Sequence, residues 1–457
     1  MRQRRFARRN ALDTFAENGM LGYYLDLALR SLKRNTLLTA LMIVAIGFGV
    51  AASMITYSVF RAVSGNPIPD KSAQLFTPQI DSWGPQQSFN GDGEPPQALD
   101  YTDAMALMRA HAAKRQTLLY PVQVSLMPGG NRSLPLKANG YAVYADFFPM
   151  FEVPFQFGSG WDATQDESRA PVIVLSGEFN NKLFGDTNSI GREINLDGHD
   201  YRIVGVTRHW DPVPRFYALF GSSGFEEPAD FYLPFTRALD LHIDTAGNNS
   251  CRKPTTMRGW DDWLHSDCVW LTPWVELDNA NEVARYRNFL EGYSADQQRA
   301  GRFGWTPNVR LRDVTQWMAY MHVVPPESRI SLMVSLGFFL ICLVNTVGLL
   351  LAKFMRRASE IGVRRALGAS RREIYMQFLI EAGTVGVAGG LLGLLLTAVG
   401  VSGVGLLFRP EIARLAHVDL SLVMLTLAVA IVATVIAAFY PTWRAAHVQP
   451  AWHLKTN

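Results

Sequence analysis

Four long apolar runs constrain this chain more than any other feature. They cover 37–60, 330–352, 378–408 and 420–440. Crossing roughly 30 Å of hydrocarbon takes about 20 helical residues, so each run can span a bilayer. The first carries no charge. The third is interrupted by Gly383, Gly386, Gly389, Gly390 and Gly393 and carries Glu381 near its start, and the fourth is closed by Pro441. An h-region of a secretory signal has about 7–15 apolar residues, and polar residues rather than an apolar core follow Arg8 and Arg9. The first run therefore reads as a retained anchor. Aromatic content of 11% excludes intrinsic disorder, and a total of 3 Cys excludes a disulfide-dense scaffold.

The formal net charge of +3 is the average of two opposite regions. Segment 61–329 sums to −8 and the remainder to +11, with +5 in 1–36 and +5 in 353–377. Lys and Arg bias in short flanks sets orientation, which puts both termini and the 353–377 loop in the cytoplasm and 61–329 outside. The expected fold class is an α-helical membrane protein with four transmembrane helices and a large α+β extracytoplasmic domain between helices 1 and 2. The expected plan has a cytoplasmic segment 1–36 with an amphipathic helix, a first span 37–60 and an external domain 61–329. Spans 330–352, 378–408 and 420–440 follow, joined by a cytoplasmic coupling loop 353–377 and a short external loop 409–419, with a cytoplasmic tail 441–457. The near-neutral total argues against a nucleic-acid partner. No span carries a midplane charge of the kind that marks a transport pathway. Glu381, near the cytoplasmic edge, is expected to snorkel or to serve the helix start. The spacing of Gly386 with Gly390 and of Gly389 with Gly393 permits close helix approach, within the chain by preference or against a second chain.

In the external domain, strand-like runs occupy 117–126, 171–175, 202–206 and 269–277. A helix is expected between 277 and 309, capped by Asp278 or Asn279, with Val283, Tyr286, Phe289 and Leu290 at helical spacing. Strand, helix and strand in that order suggest a split βαβ unit. Region 207–268 is irregular and rich in Trp, Gly, Pro and Asp, and reads as an insertion rather than core. It holds Cys251 and Cys268, for which a disulfide is favoured outside the cell, stabilising by ~3 kcal/mol in the chain-entropy model. Two free thiols are one alternative. A metal site from Asp261, Asp262, His265, Asp267 and Cys268 is another, weakened by the lack of a second Cys or His at ligand spacing, so no metal site is expected. Gly221-Ser222-Ser223-Gly224 is not a nucleophile elbow, no HExxH occurs, and His111, His199, His209, His265 and His322 pair with no nucleophile. No catalytic residue is expected.

The sharpest local signal is 356–381, RRASEIGVRRALGASRREIYMQFLIE. Positions 360–367 suit a short helix with Ile361, Ala366 and Leu367 apolar and Arg364 and Arg365 polar. Gly368 is a natural stop in the left-handed conformation. Ser370 and Glu373 then form a capping box that starts a helix running into the third span. A basic loop held to anionic headgroups would explain the charge but not two helices meeting at a Gly-Ala-Ser turn.

This segment resembles the signature of the MacB/FtsX-type ABC transporter permeases. So do 440–451 (YPTWRAAHVQPA), 171–206, and 141–160 with Asp146, Phe147, Phe148 and Gly158. The amphipathic start with Leu21, Leu25, Ala28, Leu29 and Leu32 matches as well. The resemblance covers most of the chain and departs at 207–268. It implies a permease subunit without enzymatic activity, in the bacterial inner membrane. Such a subunit exports a small molecule or peptide by passing ATPase-driven motion to its periplasmic core domain through the first two spans. It implies an ATPase-coupling role for Glu360, Arg364, Arg365, Gly368, Ser370, Arg371 and Glu373, with Glu360, Arg364, Arg365 and Arg371 making charged pairs. The chain contains no GxxxxGK[ST], so no cofactor is expected on it, and ATP and Mg belong to a separate cytoplasmic ABC ATPase subunit. A second permease chain, a homo- or heterodimer partner, is implied, as are a periplasmic adaptor, an outer-membrane channel and the lipid bilayer. The alternatives are a lipoprotein-extracting Lol-type permease and an FtsX-like regulator of a cell-wall hydrolase, a group with smaller external domains.

Overall fold

The structure, a computed structural model, describes residues 27–28, 30–32, 34–87, 93–127, 136–252, 257–407 and 418–447. The chain divides into two compact units, Met1–Val63 with Pro325–Asn457, and Ser64–Val324. Leu21, Leu25 and Leu29 of the amphipathic start, and 448–457 of the tail, lie outside the described residues.

Helix α1 (Thr36–Ser64) leads into the inserted domain. There follow β1 (Leu75–Ile80), α2 (Tyr101–Ala110), β2 (Arg115–Met127), β3 (Leu136–Val143), β4 (Phe155–Gly158) and β5 (Val172–Leu175). Next come α3 (Gly177–Phe184), β6 (Glu193–Leu196), β7 (His199–Thr207), β8 (Phe231–Pro234), β9 (Ser250–Cys251) and β10 (Cys268–Val269). The domain ends with β11 (Thr272–Glu276), α4 (Ala280–Arg299) and β12 (Val309–Asp313). One ten-stranded sheet runs β12-β1-β11-β2-β3-β8-β5-β7-β4, and β6 pairs with both β2 and β7. The path β2-β3-β8-β5-β7-β6 therefore returns to β2, and that part of the sheet closes on itself. Closure removes edges that would otherwise expose unpaired backbone groups. Alternate residues of each strand fill the interior: Tyr120, Val122, Val124 and Leu126 of β2 share one core with Ile173, Ile194, Ile203, Phe231 and Leu233. Asn279 caps α4 by accepting from Glu282 N at 3.1 Å, and the helix buries Tyr286 and Leu290 on that core.

Region 207–268 is not a mere insertion. It supplies β8, which lies parallel to β3 and antiparallel to β5, so Tyr232 faces Tyr141 on one side and Val174 on the other. Phe216, Tyr217, Leu219 and Phe235 of this region are buried too. The reason for the misreading is physical. All four positions of β8 are buried, so the strand shows no alternation, and irregular chain flanks it on the N-terminal side. The run 269–277 is likewise two pieces, because β10 pairs with β9 while β11 joins β1 and β2.

In the helical unit, α1 packs with α5 (Pro326–Met355), the short α6 (Ala358–Ala366), α7 (Arg371–Leu407) and α8 (Leu420–Ala446). α1, α5, α7 and α8 are long and apolar enough to cross a membrane. Pro441 lies inside α8, buried, and does not end it. Proline removes the bond to the carbonyl four residues earlier, a loss tolerated in spanning helices where neighbours re-satisfy the backbone. The glycine spacing of α7 serves packing within the chain. A Cβ at Gly389 would lie 2.7 Å from Ile46 Cγ2 of α1, and one at Gly386 would lie 3.1 Å from Ile431 Cα of α8. At the end of the unit away from α6, Arg61 pairs with Asp419 at 3.1 Å. The Leu422 N–H and Arg61 hold the Asp419 carboxyl down at about 2.

Two stability predictions follow from this packing. Phe231→Ala should destabilise the chain by about 3–5 kcal/mol, as for a core aromatic, read as a lowered thermal midpoint and faster amide exchange in β3 and β5. A true insertion would barely respond. Gly389→Val should cost about 1–3 kcal/mol by overpacking against α1. Gly383→Ala, with nothing within 4 Å of its Cβ position, should leave the midpoint unchanged in detergent.

Candidate functional site: an elbow between two spanning helices

The site begins where α5 ends. Helix α6 closes with the two bonds of a Schellman turn, Ala369 N to Arg364 O at 3.0 Å and Gly368 N to Arg365 O at 3.2 Å. Gly368 has φ +104°, which an L side chain rarely adopts. Helix α7 then opens with a reciprocal capping box: Ser370 N donates to Glu373 Oε2 and Glu373 N donates to Ser370 Oγ, both at 3.2 Å. The result is a helix–turn–helix elbow joined directly to a spanning helix on each side.

The structure sorts the sequence-predicted residues into different places. Glu360 accepts from Arg364 at 2.9 Å and from Arg34 at 3.4 Å. Arg364 also donates to Gln377 at 3.1 Å, and Arg365 donates to the Ala446 carbonyl at the end of α8 at 3.4 Å. These three tie the elbow to its own unit. Ser370 and Glu373 are spent on the cap and Gly368 on the turn. Arg371 is exposed and has no side-chain partner among the described residues. The outward tip carries two apolar side chains that the charge-based reading passes over, Val363 at 52% and Leu367 at 84% exposure. Leu367 immediately precedes the Gly368 turn, and Arg371 and Arg372 open the helix that follows it. The signal was present in the sequence, as an apolar residue immediately before the glycine stop.

Glu381 does not snorkel. It is 1% exposed, about three turns into α7, and its Oε1 meets Lys353 Nζ at 2.7 Å while Oε2 meets Arg357 at 3.2 Å. Ser31 Oγ donates to the same carboxylate, and Lys353, itself fully buried, donates to Thr39 Oγ1 at 3.3 Å. A buried carboxylate persists only when paired and hydrogen-bonded, and here both conditions hold. Counting charge span by span cannot find this group, because Lys353 counts as a flank of one span and Glu381 as the edge of another.

In the inserted domain, Cys251 and Cys268 face each other across β9 and β10 and are joined by a disulfide. The Cys268 sulfur is thus no metal donor. Among the described residues no group of three or more His, Cys, Asp or Glu is arranged to hold a metal ion. His265 lies 3.4 Å from Asp261 and edge-on to Tyr101, and His209 lies 2.8 Å from Glu178.

Comparison with known proteins covers both units. The family model described as MacB-like periplasmic core domain matches residues 39–263, and that described as FtsX-like permease C-terminal matches 332–450, which contains the elbow. The macrolide export ATP-binding/permease protein MacB of Salmonella choleraesuis (strain SC-B67) is 26% identical over 375 residues, 81% of this chain and 51% of that protein. MacB of Escherichia coli (strain K12) is 24% identical over 387 residues, 82% of this chain and 52% of that protein. The chain thus spans about half the length of the curated relatives it matches. The crystal structure of the periplasmic region of MacB from Actinobacillus actinomycetemcomitans aligns with TM-score 0.36 and 14% identity over 57% of this chain and 97% of that one. With one family model on the inserted domain and the other on the helical unit that holds the elbow, the chain belongs to the MacB/FtsX-type family of ABC transporter permeases.

Proposed function

We propose that this chain is the permease subunit of a MacB-type ABC transporter that exports a small molecule or peptide. In this reading the elbow faces the cytoplasm and docks on an ABC ATPase subunit, which binds ATP and Mg. Two permease chains pair, and the inserted domain works in the periplasm with an adaptor and an outer-membrane channel. The observation that carries the reading is the elbow tip. Leu367 stands 84% exposed at a turn whose backbone is fixed on both sides by a Schellman motif and a capping box. An apolar side chain held rigidly in the open loses little conformational freedom on docking, so its burial converts into affinity.

ATP closure of the ATPase would displace the elbow, and the elbow is continuous with α7 and a single turn away from α5. The inserted domain is connected to α1 on one side and α5 on the other, so displacement of these helices reaches both of its ends. Arg371 and Arg372 at the start of α7 supply charge for steering toward an acidic rim. Glu360, Arg364 and Arg365 keep the elbow's own shape rather than making the contact. This reading narrows the charged contact, within the set Glu360, Arg364, Arg365 and Arg371 expected in the sequence, to Arg371.

The test is reconstitution of the full chain with its cognate ABC ATPase subunit in nanodiscs. Leu367→Asp removes a side chain whose burial contributes about 1.5–3 kcal/mol, so association should weaken about ten- to hundredfold and permease-stimulated ATP hydrolysis should fall to the basal rate. Arg371→Ala, an exposed charge, should weaken association less than about tenfold. Unchanged association and stimulation in Leu367→Asp would contradict the docking role of this tip.

A further inference from the structure

The charged group around Glu381 has no part in a docking surface, since it is closed off from solvent. Buried ionisable side chains in membrane-spanning helices are rare and cluster at working parts of the molecule. We propose that Glu381 is the positioning residue that makes the elbow and the spanning helices on either side of it move as one body. Its buried carboxylate bridges Lys353 and Arg357 on the α5 side of the elbow to α7 on the other. This inference rests on the reading that the elbow docks an ATPase.

Lys353 lies in the last turn of α5, and Arg357 sits at the junction of α5 and α6. Glu381 lies about three turns into α7, so one carboxylate joins α7 to the last turn of α5 and to the α5–α6 junction. Ser31, which precedes α1, donates to the same carboxylate, and Thr39 ties the first turn of α1 to Lys353. A second, partly exposed rung lies nearer the tip, where Arg34, Glu360, Arg364 and Gln377 connect the same segments. With both rungs in place, α6 cannot change its angle to α5 or α7 without separating paired charges.

Apolar packing alone would not do this. The apolar driving force between helices is non-directional, whereas a carboxylate held by two cations and a hydroxyl fixes distance and direction. With Glu381 1% exposed and Lys353 fully buried, bulk solvent has little access to replace a lost partner, and that restraint is stiff. The charge arrangement also predicts an order among variants. Glu381→Gln leaves Lys353 and Arg357 facing each other with no counter-charge. Lys353→Met leaves Glu381 with Arg357 as partner. The first should therefore impair coupling more than the second. The double variant K353M/E381M replaces the pair by apolar side chains of similar length, which keeps the site filled and separates folding from coupling.

The experiment uses the full chain with its cognate ABC ATPase in nanodiscs and reads three quantities: association, stimulated ATP hydrolysis and the thermal midpoint of the chain. Glu381→Gln and K353M/E381M should bind the ATPase within about twofold of wild type yet lose at least tenfold of the stimulation, and Lys353→Met should lose less. The double variant leaves only Arg357, at 13% side-chain exposure, without its carboxylate, so its thermal midpoint should lie above that of Glu381→Gln. Normal stimulation in K353M/E381M would overturn the proposal, as would loss of association in parallel with the midpoint, which marks a purely structural role. A wild-type chain that neither binds nor stimulates the ATPase would overturn the docking reading itself, and this inference with it.

Discussion

One buried carboxylate organises the helical unit. Glu381 is 1% exposed and Lys353 is fully buried, and their 2.7 Å contact joins two helices that the elbow would otherwise leave free to hinge. Removing the carboxylate of such a pair costs about 3–5 kcal/mol, because the buried Lys353 is left as an uncompensated charge. The rest of the unit is consistent with that fixed point. Gly386 and Gly389 let α7 approach α8 and α1 closely, and at the opposite end Arg61 and Asp419 tie α1 to the start of α8. The elbow thus sits at the end of a braced bundle, as the proposed docking role requires.

What was legible in the sequence is what depends on neighbours along the chain. The Gly368 stop, the Ser370–Glu373 box and the entry of α7 into the third span follow from residues within one or two turns of each other. The Asn279 cap and the Tyr286 and Leu290 face of α4 are local in the same sense. The Glu381 group was not legible, since its partners Arg357 and Ser31 stand 24 and 350 positions away. The role of Pro441 was missed for a related reason: helix propensity argues for a stop, and packing of the flanking turns overrides it.

The same division holds in the inserted domain. Strands β2, β5 and β7 carry apolar patterns and were expected. β8 was not, because a strand buried on both faces has no alternation to read, and Phe231, Leu233 and their neighbours lie in a region whose Trp, Gly and Pro content suggests a loop. Yet β8 completes the closed part of the sheet between β3 and β5. The stretch 207–268, expected in the sequence to depart from the family, is matched by the family model up to residue 263 and carries both a core strand and the disulfide-joined β9 and β10.

The central claim is that Lys353 and Glu381 act energetically as a unit. A double-mutant cycle on the full chain in detergent, using Lys353→Met, Glu381→Met and K353M/E381M, tests it most directly. The account predicts that the double variant is less destabilised than the sum of the singles by more than about 1 kcal/mol, beyond what a surface pair provides. Additive effects of the two substitutions would contradict it.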